Sequence, residues 1–334
     1  MISRKKTIPG SLLLWLLAPG VSAVWTVAGL QPDRSANRIT VVSNARLRQS
    51  PQLTAEEIVR LPLGAIVRVF EQSPERELIG GIEDFWYRVE TTDGVSGWVF
   101  GGLTVSFSPA RREEIYLRIV RERMNIGRNS FPEQTDLFNF LTRAIAEVKT
   151  RAVVAEFELA QLLALSNSLR AIPFQRNPEQ QYLSWIKAHE ARIVYSEPGG
   201  MWLVRLDGFW ELEKEYRALP IGERIAWEAA QYGLPGECEG YLPCYFATIL
   251  LREGVYLRLY PSGAHVGEAI GRIDGLLKSF ADDLTRQWLS EIPKEDRHEF
   301  KKQITELRSV LTKAASPNKV VSLKRLDQLS RAIP

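Results

Sequence analysis

The residues able to do chemistry are few, and most are spaced wrongly for it. The chain has two cysteines, Cys238 and Cys244, and three histidines, His189, His265 and His298. His189-Glu190 and His298-Glu299 each lack a second histidine four residues on, so the helical zinc motif of metallopeptidases is missing. Two thiolates need further ligands to hold zinc, and the nearest histidine in sequence is His265. No metal is therefore expected. There is no Gly-x-Ser-x-Gly elbow, no phosphate loop and no Gly-x-Gly-x-x-Gly, so neither a serine hydrolase nor a nucleotide cofactor is expected. Paired carboxylates remain. Glu237 and Glu239 flank Cys238, and Glu211, Glu213 and Glu215 share one stretch. A glycosidase needs only two such groups, brought together by the fold. A solvated charged surface is the commoner state of such acids.

Cys238 and Cys244 lie in Gly236-Glu237-Cys238-Glu239-Gly240-Tyr241-Leu242-Pro243-Cys244. Glycine and proline suit a tight loop, and an exported chain would close this pair as a disulfide. Export is what the first residues imply. Arg4-Lys5-Lys6 precedes the apolar run Leu12 to Ala18, Pro19-Gly20 breaks any helix, and Val21-Ser22-Ala23 offers small residues for cleavage. That is the three-part pattern of a secretory signal peptide over residues 1–23. The alternative is a retained anchor, because apolar residues continue to Leu30 and bring the stretch towards the ~20 residues of a spanning helix. Either way the folded part is expected outside the cytoplasm, periplasmic or extracellular. No later stretch is read as a membrane span.

The charge total agrees. The chain carries 43 Lys and Arg against 40 Asp and Glu, a net +3. All three excess bases lie in residues 1–23, which hold no acid. The remainder is neutral, and a nucleic-acid partner would need a basic field. The composition is that of a folded globular protein, with 45% hydrophobic residues, and the length allows two domains.

Residues 36–107 alternate with the period of strands. Ile39 to Val42, Ala45 to Gln49, Ala65 to Phe70, Phe85 to Glu90 and Val95 to Phe100 form short β-rich runs. Asp93-Gly94 between two of them is a strong hairpin signal. Leu47-Arg48-Gln49-Ser50-Pro51, Leu61-Pro62-Leu63-Gly64-Ala65-Ile66-Val67-Arg68-Val69, Trp86-Tyr87-Arg88-Val89 and Gly97-Trp98-Val99 stand in the order and approximate spacing of a bacterial SH3 domain. The segment resembles that family over about a fifth of the chain. The stretch Pro74 to Glu83 departs from its pattern and is expected to lengthen a surface loop.

The resemblance implies a small SH3-like barrel that binds cell-wall peptidoglycan or an envelope protein and does no catalysis itself. The Cys-His peptidase that often accompanies this module needs a free thiol beside a histidine, which a paired Cys238 and Cys244 would not supply. Trp86, Tyr87 and Trp98 offer aromatic faces for a sugar ring or an extended peptide, and Arg48 and Arg46 lie near the opening strand. Burial of both tryptophans in the barrel core is the competing expectation. Tyr87 follows Trp86 in a strand and must face the other way, so one of the two is expected to be exposed.

Residues 111–314 read as a mainly helical domain. Ile115 to Met124, Asp136 to Lys149, Ala152 to Leu169, Tyr182 to Ile186, Phe209 to Tyr216, Ile221 to Tyr232, Tyr245 to Tyr260, Ala264 to Phe280 and Lys294 to Leu311 carry helical spacing. A β-hairpin around Glu197-Pro198-Gly199-Gly200 interrupts them. Tyr256 to Ile270 looks like the turn of a tetratricopeptide-type helical hairpin, but one copy does not make a solenoid. Residues 315–334 are expected to be a loosely ordered tail. The whole is expected to be a multi-domain, non-catalytic envelope protein that binds or scaffolds, with a wall hydrolase targeted by the barrel as the alternative.

Overall fold

The computed structural model describes residues 36–125, 130–173, 179–280 and 289–333. The expected signal segment, residues 1–23, lies outside the described residues.

Seven strands form one curled antiparallel sheet, a half-barrel of the SH3 type. They are β1 (Asn37–Thr40), β2 (Ala45–Arg48), β3 (Glu57–Leu61), β4 (Ile66–Ile79), β5 (Ile82–Thr91), β6 (Ser96–Phe100) and β7 (Thr104–Phe107), in the order β3-β2-β6-β5-β4-β1-β7. Period-two alternation puts Ala45, Leu47, Leu61, Val67, Val69, Val89 and Val99 into one barrel core. The Asp93-Gly94 turn joins β5 to β6: Gly94 has φ +84° and donates to the Thr91 carbonyl at 3.0 Å.

The stretch Pro74 to Glu83 is not a loop. β4 and β5 continue through it as a long ribbon, pairing Arg76 with Phe85, Glu77 with Asp84 and Ile79 with Ile82. Its turn is Gly80-Gly81, both at positive φ, the conformation a two-residue hairpin requires. The Pro74 region sits at a break in register between Gln72 and Arg76, where a missing N–H costs no ladder bond.

Helices follow, interrupted by one hairpin. They are α1 (Arg112–Asn125), α2 (Phe131–Glu147), α3 (Arg151–Arg170), α4 (Gln180–Ala188), α5 (Leu206–Tyr216), α6 (Ile221–Gln231), α7 (Leu242–Ile249), α8 (Val255–Leu259), α9 (Val266–Ser279), α10 (Arg297–Lys313) and α11 (Lys319–Ala332). The hairpin is β8 (Ile193–Ser196) paired with β9 (Met201–Val204). α2 begins five residues before its apolar stripe implied, because Ser130 caps it. The Ser130 hydroxyl accepts from the Glu133 N–H, and the Glu133 side chain reaches back to it at 2.7 Å. α3 is long and apolar enough to cross a membrane, contrary to the expectation from sequence. Most of its apolar stretch is buried inside the protein, and a helix apolar on all sides suits the centre of a core. α7 and α8 are one helix interrupted by a π-turn over Leu250–Gly254.

The expected loose tail is also a helix. Leu326 and Leu329 of α11 are buried among α9 and α10, with Leu323 packed against them. Arg308 pairs with Asp327 and Arg325 with Asp274. Leu323, Leu326 and Leu329 form a short apolar stripe whose partners are other helices rather than neighbours in sequence.

The barrel does not stand apart. Ile39, Leu63 and Phe107 belong to the same core as Tyr116 of α1, Phe140 of α2 and Phe157 of α3. The turn between β3 and β4 makes the join. Its Leu63 N–H donates to Asp136 at 2.9 Å, and its Leu63 carbonyl accepts from Arg143 at 2.9 Å. Gly64, at φ +76°, lies so close to Phe140 that a Cβ would fall 2.2 Å from the ring.

Candidate functional site

The four expected binding residues do not share a surface. On β5 and β6, Trp86 pairs with Phe100, Tyr87 with Val99, Arg88 with Trp98 and Val89 with Gly97. Val89 and Val99 face the barrel core, and Tyr87 packs against that same core. Trp86, Arg88 and Trp98 therefore lie on the outer face.

Trp86 is nevertheless sealed, at 3% exposure. Its ring lies 5.6 Å from Phe100, and its indole N–H donates to Glu77 at 2.5 Å. The backbone N–H of Trp86 donates to the Ser73 hydroxyl. The long β4–β5 ribbon supplies both groups, so the extension that departs from the family pattern is what closes over this ring. Tyr87 does point the other way, but Arg38 covers it with its guanidinium 4.1 Å from the ring centre. Of the two, Tyr87 is the one that keeps surface: it is half-buried, whereas Trp86 is sealed. Arg48 is buried as well. Its guanidinium donates to the Ala55 carbonyl at 2.6 Å and holds the loop between β2 and β3. Trp86 and Arg48 act in the structure of the barrel. No surface remains on Trp86 or Arg48 for a ligand.

Trp98 is half-exposed on the outer face, as Tyr87 is on the other. It sits mid-row on the outer face, with Arg88 opposite on β5 and Arg48 opposite on β2. Arg88 is largely exposed, 3.6 Å from Glu71. An aromatic ring beside a solvated guanidinium can stack on a sugar face and hydrogen-bond its hydroxyl groups or a carboxylate.

A second concavity, which the sequence reading missed, opens where the barrel meets α2. Its volume is about 570 Å³. Val59, Arg60 and Leu61 of β3 form one wall, Phe140, Arg143, Ala144 and Glu147 of α2 the opposite one, and the Thr91–Val95 turn closes an end. Tyr116 donates to Glu147 at 2.8 Å; burial, then this bond, pushes its phenol pKa up. Hydrogen bonding from the Thr91 hydroxyl holds the Asp93 carboxyl below its usual range. No single motif spells this cleft, because its walls are about fifty to eighty residues apart in the chain.

A third cleft, of about 540 Å³, lies between α3 and α5 and carries Glu158, Asp207, Glu211 and Glu215 with Arg192 and Arg205. Two of the acids singled out from sequence, Glu211 and Glu215, thus reach one cavity. Burial first, and then the nearby carboxylates of Glu158 and Glu215, push the Tyr216 phenol pKa up. Glu213 turns inward instead: it is buried, bonded to Arg217 at 2.7 Å and to the Tyr260 hydroxyl at 2.7 Å. Glu237 and Glu239 are exposed in the loop that the Cys238–Cys244 disulfide closes. Among the described residues no cluster of His, Cys, Asp and Glu could hold a metal ion.

No curated protein matches the chain. No family model matches the helical region. Residues 43–104 match the model of the bacterial SH3 domain, so the barrel segment of this chain is a bacterial SH3 domain, joined to a helical body through a shared core.

Proposed function

We propose that the protein is a non-catalytic binding or scaffolding component of the bacterial cell envelope. Its SH3 domain would engage cell-wall glycan or peptide through the outer face around Trp98 and Arg88. The observation that carries this reading is the bacterial SH3 domain at residues 43–104. A fold alone does not assign a ligand, so the surface is chosen by exposure. Of the four residues marked in sequence, Trp98 is half-exposed on the outer face and pairs with the solvated Arg88. The Cys238–Cys244 disulfide supports an oxidising compartment, in keeping with a periplasmic or extracellular protein. The interface with the helices runs through Ile39, Leu63 and Phe107, which leaves the Trp98 row open. A barrel used only as packing material would not need that row.

Purified peptidoglycan sacculi test the proposal directly. The protein is expected to sediment with sacculi, and Trp98→Ala is expected to weaken that about tenfold while the fold survives, as loss of one stacked aromatic anchor would. Equal sedimentation of the variant would remove the Trp98 face from the proposal. The second reading, a wall hydrolase with the barrel as targeting domain, is favoured by the acidic cleft that gathers Glu158, Glu211 and Glu215. Release of soluble muropeptides, abolished by Glu158→Gln or Glu215→Gln, would establish it in place of the first.

A further inference from the structure

β3 is an edge strand. One side pairs with β2, and the other meets no strand among the described residues. Exposed edges recruit strands from other chains unless they are blunted or covered. β3 keeps apolar side chains in the open, with Ile58 at 41% and Val59 at 37% exposure. Its two charges cancel, since Arg60 bonds Glu57 at 2.7 Å. The C-terminal half of β3 also borders a cavity. It forms one wall of the 570 Å³ cleft, with α2 standing opposite. The volume lies within the ~300–1,000 Å³ usual for binding sites.

The charges in the cleft sort into spent and free. Glu147 is held by the Tyr116 hydroxyl and by Arg112 at 3.3 Å. Arg60 is held by Glu57. Arg143 gives one N–H to the Leu63 carbonyl and has no acid partner among the described residues. Asp93 accepts from the Thr91 hydroxyl and has no cation partner among the described residues. One positive group on the helix wall and one negative group at the turn are left for an occupant. Between them Val59 and Ile66 supply accessible apolar surface, with Leu61, Phe140 and Ala144 packed beneath it.

We propose that this cleft binds an extended segment of a protein partner as an added strand on β3, with an acidic residue of the segment against Arg143 and a basic one against Asp93. Backbone hydrogen bonds to β3 supply affinity, and alternate side chains reach the apolar floor. The occupant is a run of L-residues. Cell-wall stem peptides contain D-residues and side-chain linkages, which break the regular alternation that a strand ladder needs. The site is separate from the Trp98 row, none of whose residues line it.

The experiment uses the full chain and the synthetic peptide acetyl-Thr-Val-Glu-Val-Lys-Val-amide. Hydrogen exchange is followed by mass spectrometry, and binding by titration. The peptide is expected to slow exchange across residues 57–61. Methylating its alternate backbone nitrogens is expected to weaken binding about tenfold or more. The double variant Arg143→Glu with Asp93→Lys is expected to lose this peptide and to bind the version in which Glu and Lys are exchanged, which a merely unfolded variant would not do. No protection of residues 57–61, indifference to N-methylation, or stronger protection by an isolated stem peptide would each overturn the proposal. Sacculus binding through Trp98 is read separately, so either proposal can fail without the other.

Discussion

Trp86 and Trp98 share the outer face of two adjoining strands, yet mutation should separate them. Trp86→Ala removes a sealed ring and leaves the Glu77 carboxylate without its donor. A cost of about 3–5 kcal/mol follows from cavity formation at a buried tryptophan, visible as a lower denaturation midpoint. Trp98→Ala removes a half-exposed ring and should cost about 1 kcal/mol or less, while sacculus binding drops. Comparable destabilisation by both would contradict the assignment of faces. Glu228 offers a pH test. Burial pushes its carboxyl above the ordinary range, and the charges of Arg224 and His265 offset this only in part. The folded state therefore holds the proton more tightly than the unfolded chain. Stability is highest below the ordinary carboxylate pKa and falls as pH rises through the elevated folded value. Glu228→Gln is expected to raise the melting temperature at pH 7 and to leave it unchanged near pH 4. A gain at pH 4 as large as at pH 7 would refute burial as the cause.

At the scale of elements, the β3–β4 turn is the joint between barrel and helices. Gly64→Ala would place a Cβ at 2.2 Å from Phe140 in a backbone conformation with φ +76°. Left-handed backbone costs an L-residue ~1–2 kcal/mol, and overpacking adds about 1–3 kcal/mol. Thermal melts should show the sum, together with faster hydrogen exchange in α2. The disulfide closes a loop between residues only six apart, so reduction should cost the low end of ~2–4 kcal/mol. α11 is a stronger clamp. Removing residues 315–334 would uncover the side of α9 and α10 that Leu326 and Leu329 cover, and the shortened chain is expected to aggregate and bind hydrophobic dyes.

For the whole molecule, the shared core makes barrel and helices one folding unit. Ile39, Leu63 and Phe107 are buried by helices rather than by the barrel's own core. A fragment of residues 36–107 would expose all three as one apolar patch. It is expected to melt well below the full chain, and proteolysis of the intact protein is expected to spare the junction at residues 108–111. A freely tethered barrel would do the reverse. Rigid attachment matters for the β3 cleft, because a fixed barrel holds the β3 edge at a constant distance from α2.

The sequence by itself determined β1, β2, β5, β6 and the first half of β4, most helices, the β8–β9 hairpin and the resemblance of residues 36–107 to a bacterial SH3 domain. Each depends on local information: period-two alternation, helical spacing, Asp93-Gly94 and Gly199-Gly200, and a run of motif residues in order. It marked Cys238 and Cys244 as a pair, since glycine and proline around them leave little other geometry. Tertiary structure decided what those residues could touch. Trp86 and Arg48 matched binding positions by type, but Glu77, Ser73 and the Ala55 carbonyl closed over them, and those partners lie on a ribbon and a loop whose approach depends on register. The ribbon itself was misread as a loop because alternation through Pro74 is broken by a bulge. The tail became α11 because its short apolar stripe is stabilised only by α9 and α10. The cleft beside β3 was invisible, since its walls meet only when the turn at Leu63 docks on α2. Periodicity is a property of neighbours along the chain, whereas exposure is set by which distant surfaces exclude water from one another.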